Sequence, residues 1–380
     1  MTQAVNDFPT DQHGWAELLP ERDKPSLLAG NLRVQWVVVG AGLTGLACAR
    51  RLAELHPDHE ILILDARLVG QGASGRNSGF TVGVSHFPGA FNAKHKANYA
   101  RVNRINQAGV ALLDQQIKAQ AIDCQWDSRG FHHGAADSQS INESSHFLGY
   151  LDAMEIDHTP LDQDAMQQRF GTALYKTGVH VKAGGLVQPA ALVRGLADSL
   201  PRNVRLIEQC SVLKIKSGKP ITLTTSQGEI STDKLILATN YEAGKLGFLS
   251  RRLIGSTLSG SFTRRLTAAE LSSLGEHKEW GIISLHSGGA TIRLTADGRI
   301  CLRNTGEYFG GSLLTPRRLQ QRQAIHRASF EKRFPQLTHV PFEYSWSGVE
   351  GISRNGTNFF GEQSKNIFLA GGYNGSGVSK

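Results

Sequence analysis

The first strongly patterned stretch of the chain is Val34–Val39, an apolar run that closes on three consecutive valines. Such a run predicts a strand buried on both faces of a parallel sheet. It leads into Gly40-Ala41-Gly42-Leu43-Thr44-Gly45 and a helical pattern from Leu43 to Leu55, with Leu46, Ala49, Leu52 and Ala53 on one face. His56-Pro57-Asp58 stops that helix, and Ile61–Leu64 predicts a second buried strand ending at Asp65. Together these make a β-α-β unit of about 30 residues.

Residues 1–33 read as an irregular lead-in anchored at Trp15. Beyond the first unit, residues 92–120 predict a long helix, and Phe147–Met154 and Asp162–Phe170 predict shorter ones. Pro189, in the favoured first-turn position, opens another over Ala190–Leu200. The texture then changes to short strands at Val204–Ile207, Val212–Ile215, Ile221–Thr225 and Glu229–Ser231, followed by a buried strand at Leu235–Ala238. Thr291–Leu294 and Arg299–Arg303 flank an Asp297-Gly298 hairpin turn. Pro316–Phe334 reads as a basic amphipathic helix and Asn366–Ala370 as a last apolar strand.

Composition narrows the class. At 380 residues, two domains are expected. The four cysteines, Cys48, Cys124, Cys210 and Cys301, form no C-x-x-C pair and have no histidine at zinc-ligand spacing. A disulfide scaffold and a cysteine-based metal site are therefore excluded as expectations. The amino terminus has no basic-then-apolar signal pattern, and no run of 18 apolar residues exists, so no membrane span is expected. These features favour a reducing cytoplasm. The net charge of +8 is spread without a basic block of five or more. That favours a solvated surface that steers an anionic cofactor, and no nucleic-acid partner.

The chemistry starts at Gly40-x-Gly42-x-x-Gly45. Gly40 permits a tight turn, Gly42 lets backbone approach a pyrophosphate, and Gly45 lets the helix pack on the strand. Leu43 and Thr44 then open a helix whose free amides face phosphate. Asp65 stands 20 residues after Gly45, at the end of the second strand, where an acid accepts from ribose hydroxyls. The loop specifies an ADP-containing dinucleotide and leaves NAD and FAD open.

The next segment, Asp65-Ala66-Arg67 through Gly70-Gln71-Gly72-Ala73-Ser74-Gly75-Arg76-Asn77-Ser78-Gly79, resembles the second motif of FAD-dependent oxidoreductases of the D-amino-acid oxidase type. It is most similar to the γ-glutamylputrescine oxidase-like branch of the glycine/sarcosine oxidase superfamily. Ser78 replaces a glycine of that motif, and Asp65 replaces its usual glutamate. Further segments extend the resemblance in order: Gly185–Pro189, Val212, Leu235–Asn240 with Thr239, Thr291–Ile300, Tyr344–Gly348, and Asn366–Val378. The resemblance implies bound FAD, non-covalent here because no cysteine follows Cys301. It implies that Ser74 donates to phosphate and that Arg76 or the 75–79 backbone reaches the ribitol and ring. Val212 would hold the adenine edge. Gly372, Asn374, Gly375, Ser376, Gly377 and Val378 would start a final helix whose amides face flavin N1 and O2.

The implied fold is α/β, α+β overall: a Rossmann-like FAD-binding domain with a parallel sheet and β-meander, plus a substrate domain with a mainly antiparallel sheet flanked by helices. The expected boundaries are 1–33 for the lead-in, 34–90, 181–245 and 345–380 for the FAD domain, and 91–180 and 246–344 for the substrate domain. The implied reaction is oxidation of a small amine or amino acid, by hydride transfer from the C–H next to nitrogen to flavin N5 and hydrolysis of the imine. The electron acceptor, oxygen or another, stays open. The alternatives are a flavin-dependent 2-hydroxy-acid dehydrogenase on the same fold, an FAD-binding protein without turnover, and an NAD-dependent dehydrogenase. No general base is required if the amine is bound unprotonated. His86, Tyr308, Trp346 and Arg354 are candidates for the substrate pocket, Arg354 as a bidentate carboxylate ligand. Lys380 lies three residues past Gly377, where the family continues into a helix, so a longer natural chain is expected.

Overall fold

A computed structural model describes residues 12–22, 26–28, 30–275 and 279–380, apart from the side chain of Thr305. Residues 1–11, 23–25 and 29 of the lead-in lie outside this set. Two eight-stranded sheets dominate.

The first sheet is built on Leu32–Val39, whose last six residues include five buried hydrophobics. It pairs in parallel with Ile61–Leu64 on one side and Glu229–Leu237 on the other, and Val204–Ile207 and Ile367–Gly371 extend the parallel order. The helix Leu43–Leu55 packs Leu46, Ala49 and Ala53 onto one face, together with Leu192, Val193 and Leu196 of the helix Pro189–Asp198. Three antiparallel strands, Val212–Lys216, Ile221–Thr225 and the first half of Glu229–Leu237, form the meander. The two strands expected at 229–231 and 235–238 are thus one. The polar stretch between them is accommodated because period-two alternation sends Asp233 to solvent, where it pairs with Arg33 at 3.1 Å. Buried Thr232 donates within the ladder to the Gln35 carbonyl at 3.1 Å.

The second sheet runs in the order Phe342–Ser353, Leu253–Thr263, Ile300–Tyr308, Thr291–Leu294, Trp280–Ser284, Phe131–Ala135, Thr177–Val181, His158–Asp162. All its pairings are antiparallel except that of Trp280–Ser284 with Phe131–Ala135. The helix Pro316–Arg333 packs Phe330 into its apolar cluster with Phe170, Trp280 and Phe334. The fold is the expected α/β arrangement of a parallel sheet with a meander and a mainly antiparallel sheet.

Two expectations need correction. The lead-in contains a short helix, Gly14–Glu17, with Trp15 fully buried edge-on against Phe262 at 4.6 Å between centroids. No helix begins at 375–378: the segment forms two turns, with Ser376 N donating to the Tyr373 carbonyl at 3.1 Å. Ser379 donates to the Val82 carbonyl at 2.7 Å.

Arg293 ties the second sheet to the loops of the first. Its side chain is fully buried, donating to the Val187 carbonyl at 2.6 Å and to Glu279 at 2.8 Å. A buried guanidinium is tolerated here because carbonyls meet its Nη1 donors and a carboxylate its Nη2.

Candidate cofactor cavity and active site

The parallel strands end in segments that converge on one cavity of about 480 Å³, lined also by the second sheet. The carboxyl ends of such strands are where open α/β sheets bind ligands. Gly40 has φ of +107°, and its N–H donates to the Leu64 carbonyl at 2.7 Å. Side chains at the glycines of this loop would meet close neighbours, backbone at Gly40 and Gly45 and a side chain at Gly42. A Cβ on Gly45 would lie 1.8 Å from the Gly40 oxygen, and one on Gly42 would lie 2.8 Å from Ser74 Oγ. Leu43 N donates to that same Ser74 Oγ at 3.1 Å, so the two glycine-rich segments are bonded to each other. Gly42 caps the helix without a side chain, and no acid lies in its first turn, which keeps that end suited to an anion.

Asp65 accepts from Ala41 N at 2.7 Å through one oxygen and from Arg67 N at 2.9 Å through the other. Burial raises its pKa; the two amides act in the opposite direction. The shorter acid thus braces the phosphate loop while its remaining lone pairs line the cavity. Ala66, Arg67, Ser78, Val212 and Thr239 line it too, as do Asn374, Gly375, Gly377 and Val378. Gly45, Gly75, Gly372 and Ser376 are not part of the wall. Gly45 and Gly75 serve close backbone packing instead, since a Cβ on Gly75 would sit 1.9 Å from the Gly70 oxygen. Asn77 spends its amide inside the turn, donating to the Ser74 carbonyl at 2.7 Å and accepting from Gly79 N at 2.8 Å.

Arg76 is at the wall, but its guanidinium is committed elsewhere. It donates to the Gln71 carbonyl at 2.7 Å and to the Ser347 carbonyl at 2.9 Å. It fastens the second loop to the second sheet rather than reaching for a ligand.

Of the four substrate-pocket candidates, only Trp346 reaches the cavity. It is buried, and its indole N–H donates to the Arg76 carbonyl at 3.1 Å. Tyr308 is 74% exposed near the end of its strand. Arg354 lies in an exposed turn, joined through its backbone N–H to the Arg252 carbonyl at 2.9 Å. His86 bonds Glu143 at 2.7 Å and stands edge-on to Phe147, away from the cavity wall.

The wall contains charged residues that the sequence reading passed over. Arg303 and Glu350 face the cavity from adjacent regions of the second sheet, and Tyr373 closes it near Thr44, whose hydroxyl donates to Tyr373 Oη at 2.9 Å. Period-two alternation along Phe342–Ser353 would have placed Glu350 on the face of Trp346 and Gly348. Arg303 likewise shares a face with Cys301, a second wall residue, whose thiol burial pushes to about 12.

These features fit an FAD: a cradle in which a Cβ has no room, an acid at the end of the second strand, and a continuous cavity from that cradle to a pocket wall. The comparisons agree. Escherichia coli (strain K12) gamma-glutamylputrescine oxidoreductase is 28% identical over 349 residues, covering 90% of this chain and 79% of that protein. A probable oxidoreductase OrdL of Haemophilus influenzae is 26% identical over 364 residues, with the same coverage. In fold, the chain resembles glycine oxidase from Geobacillus kaustophilus, with TM-score 0.74, 18% identity and 91% of each chain covered. L-proline dehydrogenase from P. horikoshii gives TM-score 0.74 at 15% identity, covering 92% of this chain and 90% of that one. The sequence pattern of the FAD dependent oxidoreductase family matches residues 35–380. The chain belongs to that family, and its cofactor is FAD.

Proposed function

We propose that this chain holds FAD non-covalently in the cavity and oxidises a small amine or amino acid at the C–H next to nitrogen. The observation that carries this reading is the continuity of one cavity from the glycine cradle at 40–45 to the second-sheet wall at Arg303, Trp346 and Glu350. Bound FAD supplies the hydride acceptor, and the oxidised substrate, an imine, hydrolyses in water. The chain's own residues bind and orient. The loop at 40–45 and Ser74 receive the pyrophosphate, Asp65 the ribose, and Val212 with Thr239 the adenine side. Asn374, Gly375, Gly377 and Val378 border the far end, and Trp346 limits the substrate's position by its rigid, bonded ring. Cys301 stays a thiol, being buried with its pKa pushed to about 12, which supports a non-covalent cofactor.

The division of labour proposed gives segments 34–90, 181–245 and 345–380 to the cofactor and 91–180 and 246–344 to the substrate, although residues 345–353 are part of the second sheet. The strand Phe342–Ser353 pairs into the second sheet and brings Trp346 and Glu350 to the junction. The name of the Escherichia coli relative concerns an amine, which supports the substrate class. All four cysteines are unpaired, which supports a reducing compartment. Among the described residues, no helix is long and apolar enough to cross a membrane.

The test is an anaerobic panel on the FAD-loaded protein: polyamines, γ-glutamylated amines, N-methyl amino acids, D-amino acids and 2-hydroxy acids. At least one amine should bleach the flavin. Bleaching by hydroxy acids and by no amine would replace this reading with the hydroxy-acid one.

A further inference from the structure

The Glu350 carboxylate faces the cavity without a partner. It is half-buried, and among the described residues no hydrogen bond or ion pair reaches it. It lies beside the terminal turn, with Oε2 2.9 Å from where a Cβ of Gly375 would stand. Across the same wall is Arg303, whose charge acts on Glu350 although the two form no ion pair within 4.0 Å. Arg303 donates one N–H to Thr291 Oγ1 at 2.8 Å. Burial raises the pKa of Glu350, and Arg303 opposes that shift. A half-buried carboxylate left unpaired at a cavity wall is open to a cation or donor that enters there. Its position makes a ligand the completing group: the strand register sets Glu350 on the face of Trp346 and Gly348, toward the cavity's interior.

We propose that Glu350 is the residue that seats the substrate's nitrogen, which enters as an ammonium and loses one proton to solvent before the C–H next to it is oxidised, with Arg303 as a positioning residue across the same wall. The proposal rests on the amine-oxidising reading and sharpens it, because it names the group that selects an amine. A 2-hydroxy acid enters as an anion and meets a like charge at Glu350, whereas an ammonium meets its complement. Gly375 keeps the approach open, since any side chain there would press on the carboxylate.

The test uses FAD-loaded wild type, Glu350→Gln, Glu350→Asp and Arg303→Lys. Three quantities are read: FAD affinity, binding of n-butylamine, putrescine and acetate by perturbation of the flavin spectrum, and KM and kcat for whichever amine the panel identifies. Glu350→Gln should weaken both amines about 10- to 100-fold, the loss expected for one charge-assisted hydrogen bond. It should raise KM more than it lowers kcat, and it should leave acetate binding unchanged or tighter. Glu350→Asp should recover part of the amine binding, and Arg303→Lys should retain most of it. FAD affinity should stay within about twofold in all variants. A loss of acetate and amine binding together would mark a merely structural role and overturn the proposal. So would amine binding unchanged in Glu350→Gln, or loss of FAD from that variant. If no amine reduces the wild-type flavin but amines still bind through Glu350, the oxidation reading fails and the anchor stands. If amines reduce the flavin and Glu350→Gln binds them as wild type does, the anchor fails and the oxidation reading stands.

Discussion

Gly45→Val is expected to abolish FAD binding, weakening it by at least about 100-fold. The Cβ of the new side chain would fall 1.8 Å from the Gly40 oxygen, and its next neighbour is the side chain of Val38 at 3.4 Å. Nothing at the first position can yield, because it is backbone. Relief requires the helix Leu43–Leu55 to move off the strand Leu32–Val39, which displaces the amides of Leu43 and Thr44 from the cavity wall. Gly42→Val is the milder companion, because its Cβ would meet Ser74 Oγ at 2.8 Å, and a side chain can rotate. Gly149→Ala is the control. Its Cβ meets nothing within 4 Å, and it lies inside the helix Ser138–Ala153, where alanine is favoured over glycine. Titrating each apoprotein with FAD and following quenching of flavin fluorescence checks the order. A Gly45→Val protein that is folded by circular dichroism and binds FAD as tightly as wild type would refute the cradle.

Acid should destabilise the protein as the pH falls below about 6.5. Three histidines are buried and held neutral: His13 and His133, each with its pKa lowered to about 3, and His326, lowered to about 4. Burial is the main cause in each. Nearby Arg76 adds to it for His13, and His86 adds to it for His133. His326 is bonded on both ring nitrogens, to Ser259 at 3.2 Å and Ser261 at 2.8 Å. Unfolded, each histidine takes up a proton near pH 6.5; folded, each does so only near pH 3 or 4. Between those values the unfolded chain holds more protons, so stability is complete above pH 6.5 and falls as pH falls. The slope reaches about 1.4 kcal/mol per pH unit for each histidine. Urea unfolding at pH 7 and pH 5 should show the drop. His133→Gln should make the slope shallower. Equal unfolding free energies at the two pH values would contradict the prediction.

The parts of the fold that the sequence reveals are those where one physical signal dominates. Val34–Val39 and Ile61–Leu64 are apolar on both faces because both faces are covered, and the helix between them carries a stripe that matches its packing. Much of the second sheet is illegible for the opposite reason. Leu253–Thr263 is built from serine, threonine and glycine, yet Thr257, Ser259 and Ser261 are buried. Their hydroxyls find partners in the Ser312 carbonyl and His326, contacts distant in sequence. Phe131–Ala135 hides in the same way, because His132 and His133 read as polar although the whole strand is buried. The cofactor cradle is legible because glycine spacing follows from backbone approach. Arg76 misleads because its charge suggests a ligand, whereas its donors are met by carbonyls of Gln71 and Ser347. Glu350 was readable from alternation alone, but only once Trp346 was known to face a cavity.

The central claim is that residues at the ends of the parallel strands form a working FAD site. The most direct test is reconstitution of the refolded apoprotein with FAD, read by absorbance near about 450 nm after removal of unbound cofactor. The account predicts one FAD per chain, a yellow protein, and cofactor released intact when the chain is denatured. A refolded, FAD-supplemented protein that stays colourless would contradict it.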